Sequence, residues 1–469
     1  LLNPKISALE LVREDESYYY VPAPEAAPPV RKEPRDEVRA LPIAPPEEYE
    51  VVAPAVSRVT VRFEERSEGL PSSGFWRSNM SVADLDGDGT PEIVTPPARL
   101  TAAKAFRVFR FDGARWTAVE PTLTGETERT MGYGAATVHD FDGDGRPDVL
   151  TAGHGAGPVV SFNEGGFRFR VETRGLPAEM SSRAVVAGDV DGDGLSDVLA
   201  ISDEPESAEV REQQGKTKGG RRELVPTESG YLKGLDLRGF FATPDKRFVE
   251  NSAGLEAACF GYTLAVDARP SDGGAPFFAS GCRFTGGTGL LYEFDRAARA
   301  FRFVGRGVVE RSAYHGGVAT LSYRGRPAAA ASFSKVDGRG AAERSMKGYG
   351  LAVYYRDASG WKRKRIAKVV SEMNDESQGV GAGDVNGDGL DDVVWADDVA
   401  GRVRIFFQTP KGEFEELDPA LQPRFVNHSM SVRVVDVDRD GRNDIVLMYE
   451  FRTTDKSRAG GLRFFRNAG

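Results

Sequence analysis

One nine-residue pattern constrains this chain more than any other feature. It reads D-x-D-x-D-G-x-x-[DE], with one substitution, Asn386, in one copy, and occurs as DLDGDGTPE from Asp84, DFDGDGRPD from Asp140, DVDGDGLSD from Asp189, DVNGDGLDD from Asp384 and DVDRDGRND from Asp436. Each copy follows a short apolar run and precedes another, such as EIVTP, DVLTAG or DVVWAD. Self-similarity at a regular spacing outweighs local propensity, because it means that one structural unit recurs and that its copies bury their apolar faces against each other. Two more copies keep the frame without the acids. VATLSYRGRPAAAAS puts Thr320, Ser322, Arg324 and Ala328 where the first copy has Asp84, Asp86, Asp88 and Glu92. LAVDARPSDGGAPFFAS keeps Asp267 but has Arg269 at the third position and one extra residue. Neither is expected to hold a cation.

Successive first positions, Asp84, Asp140, Asp189, Asp267, Thr320, Asp384 and Asp436, are 56, 49, 78, 53, 64 and 52 residues apart. Four short strands fit one such step, the size of a propeller blade. The 54 glycines and the many short β-rich runs between Gly, Asp and Pro clusters agree with an all-β chain. The expectation is an all-β, seven-bladed β-propeller over residues 56–469, with metal loops in five blades. Fourth strands are expected in FRFRVETRGL, KRFVENSAGL and FRFVGRGV, ending at Leu176, Leu255 and Val308. After Asp436 only three strands remain, so residues 59–65 are predicted to supply the fourth strand of the last blade and close the ring.

The loops suit a hard cation. Ca²⁺ takes six to eight oxygens at roughly 2.3–2.6 Å from carboxylates, carbonyls and water. In the first loop Asp84, Asp86 and Asp88 are expected to point inward, Gly89 to allow the bend, Thr90 to offer its carbonyl and Glu92 to close the shell. The corresponding ligands are Asp140, Asp142, Asp144, Arg146 (carbonyl) and Asp148; Asp189, Asp191, Asp193, Leu195 (carbonyl) and Asp197; Asp384, Asn386, Asp388, Leu390 (carbonyl) and Asp392; and Asp436, Asp438, Asp440, Arg442 (carbonyl) and Asp444. An EF-hand would need a bidentate Glu at position 12, where this chain has Thr95, Thr151, Ala200, Trp395 and Leu447. Mg²⁺ demands stricter octahedral geometry, and Zn²⁺ would want His or Cys, so about five Ca²⁺ ions are expected. The formal charge of −10 is opposite in sign to what five divalent ions would carry, so much of the acidity reads as metal ligand.

Residues 1–55 are rich in proline and charge and lack an apolar period long enough for a core element, which predicts an extended arm or linker that a partner could order. A polar insertion over residues 202–230 is expected to be an exposed loop. Cys259 and Cys282 are the only cysteines and are read as a disulfide in an oxidising compartment, with two separate buried thiols as the alternative. The start at Leu1 rather than Met is read as removal or omission of a targeting segment, with a lipid anchor upstream of Leu1 as the one membrane link considered.

The five loops and their strand pattern resemble the FG-GAP/VCBS repeat family, the calcium-loop propellers of integrin α-subunits and many secreted bacterial proteins. FVENSAGL, MGYGAATVHDFDGDG and GTGLLYEFDRAARAFRFV look like its cartilage-acidic-protein/UnbV branch. The resemblance covers residues 59–469, with the two acid-free loops departing from the family pattern. It implies an extracytoplasmic protein, secreted or at a surface, engaged in adhesion, ligand binding or assembly with a protein or glycan partner.

Enzymatic action on polysaccharides is the alternative, since related propellers include members that cleave them. The chain offers little for it. His139, His154, His315 and His428 are read as turn or core residues, and no nucleophile elbow, zinc helix, Walker loop or dinucleotide fingerprint occurs. Net acidity argues against nucleic acid as a partner, and KTKGGRR from Lys216 and WKRKR from Trp361 are read as solvated basic tracts.

Overall fold

The computed structural model describes residues 9–14, 17–22, 51–74, 76–98, 106–126, 134–153, 156–177, 180, 182–202, 222–223, 237–255, 261–268, 277–282, 291–305, 308–309, 313–335, 348–370, 379–425, 427–450 and 460–469. The described residues are all-β and include no helix. Five sheets consist of four strands around the ring, and two others contain the same four-strand antiparallel meander with strands added at an edge.

In chain order, sheet one is Ser81–Ala83, Glu92–Thr95, Arg107–Phe111 and Trp116–Val119. Sheet two is Gly134–His139, Asp148–Gly153, Ala156–Asn163 and Arg168–Glu172, with Thr122–Gly125 added outside and Ser78–Asn79 inside. Sheet three is Ser182–Gly188, Asp197–Ser202, Leu237–Ala242 and Phe248–Glu250, and sheet four is Gly261–Asp267, Phe277–Cys282, Leu291–Asp295 and Ala300–Phe303. Sheet five is Ala313–Tyr323, Arg326–Lys335, Gly348–Asp357 and Gly360–Val370. Sheet six is Val380–Gly383, Asp392–Asp397, Arg402–Gln408 and Phe414–Glu416, with Ala55–Val56 added outside. Sheet seven is His428–Val435, Asp444–Glu450, Gly461–Asn467 and, from far upstream, Phe63–Glu65.

First strands of consecutive sheets are neighbours, and His428–Val435 of sheet seven returns to Ser81–Ala83 of sheet one. An apolar cluster fills each space between adjacent sheets. Leu85, Val94 and Val108 meet Val149 and Phe169 between sheets one and two, and Trp116 and Phe109 meet Phe464 and Met448 between sheets seven and one. A second strand is therefore packed on both faces, which explains continuous apolar runs such as the buried Asp392–Asp397 (DVVWAD), whereas the outer Arg168–Glu172 alternates. Each fully buried Val, Ile or Phe here contributes about 1.5–3 kcal/mol, which no isolated sheet could gain.

The closing strand lies where the unpaired edge required it: Glu65 pairs with Phe465 and Phe63 with Asn467. The strand is shorter than predicted, beginning at Phe63, but Val61 just before it is also buried in the cluster between sheets six and seven. Upstream, the chain runs along the outer edges of two other sheets. Val52 exchanges backbone hydrogen bonds with Lys368 (3.1 and 2.9 Å), and Ala55–Val56 lies parallel to Glu415–Glu416.

Two expectations change. The insertion is not loop throughout, since it adds Arg222–Glu223 as a third strand to an antiparallel hairpin that Leu9–Glu14 and Ser17–Pro22 form within the N-terminal arm. The aromatic and β-branched residues Val12, Tyr18, Tyr19, Tyr20 and Val21 supply the strand propensity that the surrounding prolines obscured. The acid-free copy in sheet five is not a loop of the same length. Thr320 pairs with Ala329 and Tyr323 with Arg326, leaving a two-residue turn at Arg324–Gly325 with both φ positive (53° and 71°). In sheet four, residues 269–276, including Arg269, lie outside the described residues.

Candidate metal centres

The five acidic loops join the first and second strands of sheets one, two, three, six and seven. Each is wound around its first carboxylate. Asp84 accepts hydrogen bonds from the backbone N–H of Gly87 and Gly89, both at 2.8 Å. Asp140, Asp189 and Asp384 hold the equivalent pairs, and Asp436 accepts from Asp440 and Gly441. The sixth-position residues, Gly89, Gly145, Gly194, Gly389 and Gly441, have φ of 83–89°, which explains why that position is glycine in every copy.

The ninth-position acid fastens the loop to the sheet. Asp148 Oδ2 accepts from Phe141 N–H (2.9 Å) and its Oδ1 from Asn163 N–H (2.7 Å), so one carboxylate ties the loop to the third strand. Asp197, Asp392 and Asp444 repeat this with Val190 and Ala242, Val385 and Gln408, and Val437 and Asn467. Glu92 takes the loop bond from Leu85 N–H at 2.8 Å, while its other oxygen, Oε1, is buried without a hydrogen-bond partner. Burial raises all five above the ordinary carboxylate range, to about 7 for Glu92, Asp148 and Asp197, about 8 for Asp392 and about 6 for Asp444. Other carboxylates of the same loop add to the rise.

Oxygens of the first-, third- and ninth-position acids converge. Asp84, Asp86 and Glu92 each place one within 4.8 Å of the others, as do Asp140, Asp142 and Asp148; Asp189, Asp191 and Asp197; and Asp436, Asp438 and Asp444. The loop of sheet six has Asn386 at the third position, so Asp384 and Asp392 bring two carboxylates there. Asp142, Asp191 and Asp438 each have Oδ1 buried with no hydrogen-bond partner. Buried acceptors are normally satisfied, and leaving one unsatisfied costs about 1–3 kcal/mol. Converging carboxylates with orphaned oxygens fit a hard, oxygen-seeking cation, and these four clusters can hold metal ions.

The fifth-position acids make other contacts. Asp88, Asp144 and Asp440 are outside the converging groups and pair with Arg110, Arg146 and, for Asp440, both Arg442 and Arg466, while Arg110 and Arg466 also reach the third-position Asp86 and Asp438. Asp193 is also outside the converging group. Oδ1 of Asp88, Asp144, Asp193, Asp388 and Asp440 accepts the N–H of the seventh residue, respectively Thr90, Arg146, Leu195, Leu390 and Arg442, at 2.7–3.0 Å. In three loops guanidinium groups add to this turn bond on the fifth carboxylate.

Sequence reasoning missed a clamp at the end of the third strand. The side-chain amide of Asn163 donates to Pro147 O in its own loop and to Leu85 O in the preceding loop (3.0 and 2.8 Å). Asn467 does the same to Asn443 O and Val385 O, and Gln408 to Asp391 O and Ser322 O. The available signal was an amide closing an apolar strand just before a glycine turn, as in SFNEGG, FFQTPKG and FFRNAG. Arg439, at φ 63° in the fourth position where the other loops have glycine, donates to Asp88 O (3.0 Å) and links the last loop to the first.

The remaining sequence candidates lie apart from these centres, with one exception. His139 Nδ1 is 2.7 Å from Ser196 Oγ, which also donates to Asp140 O, so this histidine borders two loops. His315 is buried beside Tyr354 and His428 lies 3.5 Å from Asp398, while His154 is outside the described residues. Cys259 is also outside them, and Cys282 is described only as the last residue of its strand, so the disulfide expectation falls outside the described residues. Lys216 to Arg221 lie outside them too. Trp361 to Arg365 sit half-buried in the outer strand of sheet five, where Trp361 donates to Glu293 and Lys364 pairs with Glu413 (both 2.6 Å).

Residues 140–200 and 384–447 match the family described as FG-GAP-like repeat. Each matched stretch runs from the first acid of one loop, through the rest of its sheet and the whole acidic loop of the next sheet, into that sheet's second strand. The chain carries FG-GAP-like repeats in a β-propeller arrangement. No curated protein matches it at a significant level. A crystal structure of BBS1N in complex with ARL6DN, soaked with lead, is similar over 88% of this chain and 99% of that one, with 10% identity and a TM-score of 0.45. So distant a likeness adds nothing to the argument.

Proposed function

We propose that this FG-GAP-repeat protein is a seven-bladed, calcium-stabilised β-propeller that works outside the cytoplasm as a binding or assembly scaffold for a protein or glycan partner. The observation that carries the reading is the set of orphaned oxygens on Asp142, Asp191 and Asp438, each in a converging carboxylate cluster at the same place in its sheet. Calcium would be held by the first-, third- and ninth-position side chains, with seventh-position carbonyls and water completing the shell. In the sheet-six loop, Asn386 takes the third place beside Asp384 and Asp392. Bound calcium neutralises buried acids that otherwise repel one another, so its role is to fix the loops and the ring.

Seven four-strand meanders, neighbouring first strands and apolar clusters between adjacent sheets support the blade count. Residues 1–55 form an arm outside the 56–469 ring in this reading, and the arm's hairpin with Arg222–Glu223 is the first place to seek the partner. Two measurements test the proposal. Chelation should sharply lower the melting temperature, and an unchanged melting curve would refute calcium stabilisation. Pull-downs from the native extracytoplasmic fraction, with and without calcium, should recover a calcium-sensitive partner, and recovery of none would refute the scaffold role.

A further inference from the structure

Ser78–Asn79 sits at the centre of the ring. It pairs parallel with Gly134–Ala135 on the inner edge of sheet two and neighbours the first strands of sheets three, four and seven. Asn79 Oδ1 accepts hydrogen bonds from Ser431 Oγ (3.0 Å) and from the Arg433 guanidinium, which fixes the amide so that its NH₂ is the free end.

Arg433 is the anomaly. It is partly buried, and its hydrogen bonds go to two uncharged acceptors, Val432 O and Asn79 Oδ1; among the described residues no carboxylate pairs with it. Other half-buried arginines here have acids, as Arg404 has Glu416 and Asp397, and Arg77 has Glu450. Burial alone lowers the Arg433 guanidinium to about 10, with no acid opposing the fall. Next to Asn79, Ser78 is fully buried, has the left-handed φ of 76° and carries an Oγ with no hydrogen-bond partner. A non-glycine residue in that conformation costs about 1–3 kcal/mol and persists only where its surroundings impose it. The axis therefore holds an unneutralised cation, a free amide NH₂ and an unsatisfied hydroxyl, an excess of donors in an otherwise acidic protein.

We propose that Arg433 and Asn79 Nδ2, held together through Asn79 Oδ1, form a binding site for a small sulfate-like or phosphate-like oxyanion at the axis of the ring. A guanidinium presents paired N–H donors that match two oxygens of such an anion, and the amide adds a further donor. This site is separate from the calcium loops and independent of their occupancy.

The test uses selenate, a sulfate analogue with a strong anomalous signal, soaked into crystals of the full chain with calcium present. The result expected is an anomalous peak within hydrogen-bonding distance of the Arg433 guanidinium. Selenate peaks elsewhere with none at Arg433 would overturn the proposal. In solution, sulfate should raise the melting temperature by about 1–3 °C more than chloride of equal ionic strength. Arg433→Gln should lose that difference and Arg433→Lys retain part of it. An equal sulfate effect in a folded Arg433→Gln protein would also overturn it, and the selenate result stands if that variant does not fold.

Discussion

The sharpest consequence of the loop geometry is an inverted pH dependence in metal-free protein. Asp392 is fully buried, accepts two backbone hydrogen bonds, and is pushed from 3.8 to about 8 by burial. A group whose folded pKa is raised binds its proton more tightly when folded, so its contribution is complete below the unfolded pKa and is lost as pH rises through the folded value. Each pKa unit corresponds to about 1.4 kcal/mol, so Asp392 alone removes about 4 kcal/mol of stability between about pH 5 and pH 8. Asp148 and Asp197, raised to about 7, act in the same direction over most of that window.

Acids shifted the other way do not mask this. Asp88, Asp112, Asp357 and Glu413 are lowered by hydrogen bonds, chiefly from neighbouring N–H groups, Ser359 and Lys364, so their contribution is lost only as pH falls below their unfolded values. Protein stripped of metal and melted by calorimetry across that range should lose about 5–10 °C or more as pH rises. With saturating calcium the same series should be nearly flat, because the ion replaces the proton. Metal-free melting temperatures that stay level or rise from about pH 5 to pH 8 would refute the reasoning.

Three further outcomes follow from the same structure. Asn467→Ala removes the side-chain hydrogen bonds to the loop carbonyls of Val385 and Asn443 and from Gly469 N–H, and should cost about 1–3 kcal/mol in urea unfolding with calcium present, whereas a loss under about 0.5 kcal/mol would mean that the clamp is idle. Asp438→Ala removes the third-position oxygens altogether, which Asn, present there as Asn386 in sheet six, would not, and should lower the calcium count by one in titration calorimetry; an unchanged count would exclude the sheet-seven loop as a site. Removing residues 1–50 should leave the melting temperature within about 2 °C, whereas removing residues 1–65 takes away the closing strand and should give aggregated or unfolded protein. A folded monomer lacking residues 1–65 would contradict closure by Phe63–Glu65.

Most of the fold was legible because it is written in a repeat. The five acidic loops fixed where first strands end and second strands begin, and the missing strand after LRFFRN pointed to the upstream segment that ends at Glu65. The first, third and ninth acids were legible as converging ligands because the glycines between them dictate the turn. The ion pairs of the fifth-position acids with Arg110 and Arg466 were not legible, because those arginines come from another strand of the sheet. Asn163, Gln408 and Asn467 escaped notice for a similar reason: their partners are backbone carbonyls of other elements, and a carbonyl leaves no mark on the sequence. The hairpin from Leu9 was hidden by the average composition of a proline-rich segment, and its third strand comes from an insertion about 200 residues away.

Counting bound ions tests the central claim most directly. Native mass spectrometry of the folded chain, exchanged into calcium and then into chelator, should show about five calcium ions per chain, one for each D-x-D/N-x-D-G loop, lost on chelation together with a fall in melting temperature. A folded chain that carries no calcium under saturating conditions, and melts at the same temperature with and without it, would contradict the account.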